Sequence, residues 1–320
     1  MRFAAVLGLV FACAMSTTGV VRAQDYPAHP IRVLVGFPAG SGADIVTRFF
    51  ANKIQTAAGQ TVIVENRPGA NGNIAMGLAT KAKPDGYTIL FSSNSTILAG
   101  DLLYKDLGFD PQKDLTPAAL FSETTFVLVV PSSSPVKSVA ELTAALKANP
   151  RNKFGYANQT SQVSAEYYKA TAGFQSVPVS YRSGADALND LSSGSLDYVI
   201  IDGTFGNSQV KAGKVRALAV TTKQRHSVLP DTPTMQELGM PDFDFSAWWG
   251  AYLPAGTSPQ IVAKIGHWLN AASADEDTKL FLDKVTGTPL NADAEGAKAR
   301  IARESARWRA AIKAAGMEPQ

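Results

Sequence analysis

Apolar and polar positions follow two rhythms along this chain. Short β-branched or apolar runs alternate with longer stretches of helical spacing, and small polar residues mark most changeovers. The alternation predicts an α/β fold with mostly parallel sheets. Strands are expected at Ile31–Phe37, Thr61–Glu65, Tyr87–Ser92, Phe126–Pro131, Phe154–Ala157, Val177–Ser180, Leu196–Ile201, Arg216–Thr221 and Ala247–Leu253. Helices are expected at Ile45–Ala57, Asn73–Ala82, Val163–Ala172 and Ala185–Ser193. Others run from the capping box Ser138-Val139-Ala140-Glu141 to Asn149, from Pro259 to Ala274, and along the amphipathic stretch Ala294–Ala315.

No repeat, low-complexity segment or flexible linker interrupts the series. A chain of this length is expected to form two lobes. Without a linker, the lobes should be discontinuous, with crossings near Leu120–Phe126 and Met240–Ala247. Residues 24–122 plus 244–320 would form one lobe and 123–243 the other. The cleft between them would be edged by the loops at strand C-termini, where α/β ligands bind.

The first 23 residues change the composition. Met1-Arg2 is a basic start, Ala4–Met15 is apolar, and Val21-Arg22-Ala23 ends on a small residue. That is the layout of a secretory signal peptide cleaved before Gln24, and the run is too short for a membrane anchor. Cleavage removes Arg2, Arg22 and the single cysteine, so 30 basic residues become 28 against 27 acidic ones. A mature charge near +1 argues against a nucleic-acid surface. A cysteine-free exported chain must rely on its core and not on disulfides. The expected setting is the periplasm.

Catalytic and metal motifs are missing. His29, His226 and His267 have no second histidine or cysteine at ligand spacing. Gly40-Ser41-Gly42-Ala43-Asp44-Ile45 has Ile45 where a dinucleotide loop needs its third glycine, and Gly213-Lys214 lacks the rest of a phosphate loop. Ser41 is flanked by Ala39 and Ala43 where a nucleophile elbow needs glycines. No cofactor and no catalysis are expected.

Four small polar loops each follow a strand and precede a helix. They are Pro38–Asp44, Ser92–Thr96, Ala157–Ser161 and Tyr181–Ala185. Each is explained singly by helix capping and turn formation. Together, at strand exits of one α/β frame, they predict a cleft lined with neutral donors that suits an anion.

Several segments carry a family resemblance. Phe37-Pro38-Ala39-Gly40-Ser41-Gly42-Ala43-Asp44, Glu65-Asn66-Arg67-Pro68-Gly69-Ala70-Asn71-Gly72-Asn73-Ile74 and Lys83-Pro84-Asp85-Gly86-Tyr87-Thr88-Ile89-Leu90 resemble the Bug (TctC) family. So do Val136–Leu142, Leu229–Thr234 and Trp248–Thr257, in order along the chain. These are extracytoplasmic substrate-binding proteins of tripartite tricarboxylate transporters. The resemblance implies a two-lobed periplasmic-binding-protein (Venus flytrap) fold, a monomer without cofactor, a small carboxylate ligand and the transporter's membrane subunits as partners. It also implies a carboxylate held between the Gly40–Asp44 and Tyr181–Asp186 loops, with distal selectivity from Asn158, Thr160, Ser161, Asp202 and Phe205. Ser41 and Ala43 depart from the family's usual glycine and hydroxyl residues, and Tyr181-Arg182-Ser183-Gly184 replaces a more usual Tyr-Lys-Gly.

The candidate ligand-binding set is therefore Ala39, Gly40, Ser41, Gly42, Ala43, Asp44, Ser93, Asn94, Asn158, Thr160, Ser161, Tyr181, Arg182, Gly184, Ala185, Asp202, Phe205 and Trp248. Arg182 is the cation placed near the ligand. Asp44 is expected to cap or to complement the helix dipole. Asp202 can cap, orient a water or receive a ligand amino group. Trp248 and Trp249 alternate on a strand, so one packs inward while the other is free to face the cleft. A di- or tricarboxylic acid is the expected ligand. An aromatic carboxylate, suggested by Phe205 and the tryptophan pair, is the alternative, and an exported enzyme acting on organic acids is a third reading.

Overall fold

Many helix starts in this chain carry a small polar cap at a strand exit, and that alternation builds two sheets. The computed structural model describes residues 26–104, 107–314 and 316–318. The expected signal segment lies outside them.

The first unit begins with β1 (Ile31–Val35), α1 (Gly42–Ala58), β2 (Val62–Asn66), α2 (Asn73–Thr80), β3 (Thr88–Ser93), α3 (Asn94–Leu103), α4 (Pro111–Asp114) and β4 (Leu115–Thr124). The chain then passes directly into β5 (Phe126–Pro131), α5 (Val139–Ala148), β6 (Lys153–Tyr156), α6 (Gln159–Ala172), β7 (Val177–Ser180), α7 (Gly184–Ser192), β8 (Tyr198–Asp202), α8 (Gly203–Lys211) and β9 (Val215–Val220). It returns through β10 (Ala247–Pro254), α9 (Pro259–Ala274), α10 (Glu276–Lys284), β11 (Gly287–Asp293) and α11 (Ala294–Ala314).

One sheet has the order β11-β4-β10-β3-β1-β2 and the other β7-β6-β8-β5-β9. Both are mixed rather than mostly parallel. Strands joined by a crossover helix (β1, β2 and β3; β6, β7 and β8) pair in parallel where they are neighbours. The strands at the crossings, β4, β5 and β10, pair antiparallel with all their neighbours. The chain leaves one sheet along β4 and comes back along β10, so outgoing and returning strands lie side by side in opposite directions.

Gly36, just past β1, shows how tightly the first unit is closed. A β-carbon there would stand 2.4 Å from Gly72 Cα, so the two backbones meet where no side chain fits.

Three apolar clusters support the sheets. One, around Phe50, Phe91, Phe121 and Trp268, fills one face of the six-stranded sheet. Another, with Val127, Leu191 and Ile201, lies on one face of the five-stranded sheet. The largest takes Leu34, Leu90 and Leu120 from one sheet and Phe126, Leu128 and Ile200 from the other, with Trp248 and Trp308 among them. A single dry core thus runs through both units, and α11 packs against α3 and β4 of one and α6 of the other.

Candidate functional site

Five helices start at strand exits around one cavity of about 580 Å³. Two belong to the six-stranded unit, β1 into α1 and β3 into α3. Three belong to the other, β6 into α6, β7 into α7 and β8 into α8. A helix N-terminus presents unpaired amides and about half a positive charge, so the convergence makes an electropositive cleft with few cationic side chains.

The start of α1 is the most elaborately built. Gly40 takes a left-handed φ of 78°, which turns the loop back on itself. Ser41 caps the helix, its Oγ accepting from Asp44 N at 3.3 Å and donating to Pro38 O at 2.7 Å. Asp44 itself is buried behind the loop and not in the lining. Its Oδ2 accepts from Gly40 N at 2.8 Å and Arg48 Nε at 2.9 Å, and its Oδ1 from Asn66 Nδ2 at 2.8 Å. Burial opposes the charge, but the hydrogen bonds from Arg48, Asn66 and Gly40 outweigh it and hold the carboxyl below its usual range. A folded pKa below the unfolded one stabilises fully above the ordinary carboxylate range, and the gain is lost as pH falls through the depressed value. Wild type should therefore lose more unfolding free energy than Asp44→Asn between about pH 6 and about pH 3. Denaturant titrations at the two pH values check this.

The second unit repeats the device. Ser183 caps α7 by accepting from Asp186 N at 3.2 Å. Asn158 and Ser161 form a reciprocal capping box on α6. The amides of Gly42, Ala43, Gly184 and Ala185 occupy first-turn positions and donate to no protein acceptor among the described residues. Thr160 Oγ1 is fully buried, lines the cavity and has no protein partner there. Ser93 Oγ meets Ser95 Oγ at 2.9 Å, also in the lining. Arg182 is exposed at the edge and is the lining's one basic residue.

Of the expected residues, Ala39, Gly40, Ser41, Gly42, Ala43, Ser93, Asn158, Thr160, Arg182, Gly184, Ala185, Asp202 and Phe205 line this cavity. The other five expected residues are placed elsewhere. Asp44 and Ser161 are consumed in organising their own helix starts. Asn94 is buried and donates to Ser246 O at 2.8 Å. Tyr181 turns its hydroxyl to Asp190 Oδ2 at 2.6 Å and borders a separate cavity of about 320 Å³. Burial and the Asp190 carboxylate push that phenol up to about 12. Trp248 is wholly buried in the shared core, with its Nε1 donating to Glu304 Oε2 at 2.6 Å.

Strand alternation then turns Trp249 to the cleft, where its ring meets Phe37 edge-on at 5.6 Å. Phe126 and Phe205 continue an aromatic wall. Phe37, Phe126 and Trp249 are lining residues that sequence reasoning missed. Phe37 immediately precedes the first glycine loop and Phe126 stands at the crossing, which are the signals that were there to use. Among the described residues, no group of three histidine, cysteine or acidic side chains is placed to hold a metal ion.

Residues 46–317 match the family model described as the tripartite tricarboxylate transporter family receptor, TctC. Protein BugT of Bordetella pertussis is 31% identical over 319 residues, covering 98% of each chain. Among solved structures, R. palustris Rpa4515 with adipate superposes with a TM-score of 0.87 at 29% identity, covering 92% of this chain and 100% of that one. MatC from Rhodopseudomonas palustris, with bound malate, gives 0.81 at 27%, covering 90% and 100%.

Proposed function

The chain belongs to the tripartite tricarboxylate transporter receptor family, and from that premise we propose that it captures a small organic acid and hands it to the membrane subunits of such a transporter. The carrying observation is the pair of opposed helix starts. Unbonded amides of Gly42 and Ala43 from one unit and of Gly184 and Ala185 from the other border one cavity. Charge-assisted hydrogen bonds to such amides suit a carboxylate without needing a cation at its centre.

A di- or tricarboxylic acid is the ligand class supported first. A second polar group, Ser93, Ser95, Asn158 and Thr160, lies at the starts of α3 and α6 and provides for another acidic end. Adipate and malate in the two similar structures agree with that class. An aromatic carboxylate is the second reading, favoured by the wall of Phe37, Phe126, Phe205 and Trp249. The protein works as an exported monomer in the periplasm and binds without turnover.

The test is to titrate the purified chain with aliphatic and aromatic carboxylates while following melting and product formation. A true ligand at a hundredfold excess over Kd should stabilise by about 2.7 kcal/mol. Steady product release, or stabilisation by a neutral sugar and by no carboxylate, would overturn the reading.

A further inference from the structure

The cavity of about 320 Å³ beside Tyr181 shares Ala157 and Asn158 with the cleft but is otherwise walled by different side chains. Both units build it. Asn71 and Tyr104 come from the first, α6 and β7 from the second, and Met317 from the segment after α11. Its volume falls at the lower end of the range of about 300–1,000 Å³ usual for small-molecule sites.

The polar groups facing this cavity hold much of their bonding capacity in reserve. Gln159, Gln162, Glu166 and Lys169 recur at helical spacing, so one face of α6 is turned towards it. Glu166 is only 4% exposed, and its one side-chain partner is Lys169, with which it forms an ion pair. Among the described residues, the Gln162 side-chain amide and the Tyr156 hydroxyl meet no protein partner. The Tyr104 hydroxyl accepts from Asn71 Nδ2 at 2.7 Å and from Gln159 Nε2 at 3.3 Å, and its own proton has no protein acceptor there. Polar groups withdrawn into a fold are normally bonded, so a cavity that keeps these unused is furnished for a polar occupant.

The ion pair decides the occupant's charge. Glu166 and Lys169 cancel each other within the wall, and a charged ligand has to break the pair to gain either member. A group that both donates and accepts can use the two together. A hydroxyl does this, with one O–H donor and two acceptor lone pairs. Of two neighbouring hydroxyls, one can accept from Lys169 and the other donate to Glu166, leaving Gln162 and Tyr104 for a third. Tyr181 spends its hydroxyl on Asp190, so with Leu103 it offers apolar surface to a carbon skeleton.

We propose that this second cavity binds a neutral polyhydroxylated molecule, a monosaccharide or sugar alcohol, independently of the cleft. The site stands whether or not the cleft takes an organic acid.

The experiment is calorimetric titration with glucose, galactose, ribose and mannitol, and with glucosamine as a cationic control. Wild type is compared with Gln162→Leu and with the doubly neutral variant Glu166→Gln/Lys169→Met, and melting curves report the fold of each. At least one neutral probe should bind wild type at one per chain, about tenfold or more tightly than glucosamine. Both variants should weaken that binding by about tenfold or more. Succinate, malate or benzoate added in excess should leave it unchanged. Failure of all four neutral probes to bind overturns the inference, as does equal or tighter binding of glucosamine. Displacement of the polyol by the acids places it in the cleft and overturns the second site, and so does unchanged affinity in the variants. None of these results touches the carboxylate reading, which fails only if no acid binds.

Discussion

Proline at position 42 is expected to weaken carboxylate binding tenfold or more while leaving α1 intact. Gly42 is the first residue of that helix, where proline's fixed φ and missing N–H are tolerated. Ser41 before it has φ −70° and ψ 162°, a conformation that suits a residue preceding proline. The space is sufficient, since a new β-carbon meets its nearest neighbour at 3.8 Å. What the change deletes is one unbonded amide at the cavity. A charge-assisted hydrogen bond contributes about 1.5–3 kcal/mol, and about 1.4 kcal/mol is one decade of affinity. Arg182→Ala should cost less than this, because an exposed guanidinium is screened by water and salt. Calorimetry on both variants decides the mechanism. If Arg182→Ala abolishes binding while Gly42→Pro binds as wild type, the cleft is a guanidinium clamp and not an amide cradle.

Removing the Arg300 guanidinium should give the largest loss of stability, about 3–5 kcal/mol, the usual cost of leaving buried charges unpaired. Arg300 on α11 donates from Nη2 to Glu123 Oε2 at 2.5 Å and from Nε to Glu304 Oε1 at 2.7 Å. It also lies over the Trp248 ring at 5.6 Å, and Trp248 donates to the other oxygen of Glu304. Glu123 is on the outgoing strand β4 and Trp248 on the returning β10, so one cation ties the C-terminal helix to both crossings. Denaturant unfolding of Arg300→Met gives the loss. Adding Glu123→Gln and Glu304→Gln should restore much of it, because a neutral network no longer carries stranded charge. A loss below about 1 kcal/mol in Arg300→Met would mean that water already screens the cluster.

Elements with local signals were legible in the sequence. The cap residues Ser41, Ser138, Asn158, Ser183 and Ser258 each accept from the amide three residues on, so these helix starts were legible to within about four residues, whereas the bounds of α3 and α8 were not. Strands β4 and β11 were not legible. Leu115–Thr124 has no period-two alternation because nearly all of it is buried, and it contains Pro117. Gly287–Asp293 is a polar edge strand with Pro289, and composition argues against a strand there. Both strands belong to the antiparallel part of their sheet, and in the other sheet β5, though expected as a strand, runs antiparallel to β8 and β9, so strand direction was not legible from residue type.

Parity also defeated the tryptophan assignment. Alternation says that Trp248 and Trp249 point opposite ways but not which is inward. That is settled by Glu304, far along the chain, whose carboxylate needs the Trp248 indole as donor. Tyr181 was lost to Asp190 in the same manner. Asp202 could be located from its strand exit, whereas its cap on the Phe205 amide appears only in the folded structure.

The two sheets differ in when they can be finished. Every strand of the five-stranded sheet lies in one uninterrupted piece of chain, β5 to β9. In the six-stranded sheet, β4 sits between β10 and β11, both supplied from beyond residue 246. A chain that emerges N-terminus first therefore closes its second sheet while the first still waits, with β3 open along one edge and β4 without either strand partner. The waiting edge is long, apolar and buried when complete, the kind of strand that invites wrong pairing. Its closure across more than a hundred residues is slow compared with neighbouring hairpins and crossovers. Helix α11 emerges later still, and its Arg300 and Glu304 then tie the outgoing strand β4 to the returning strand β10.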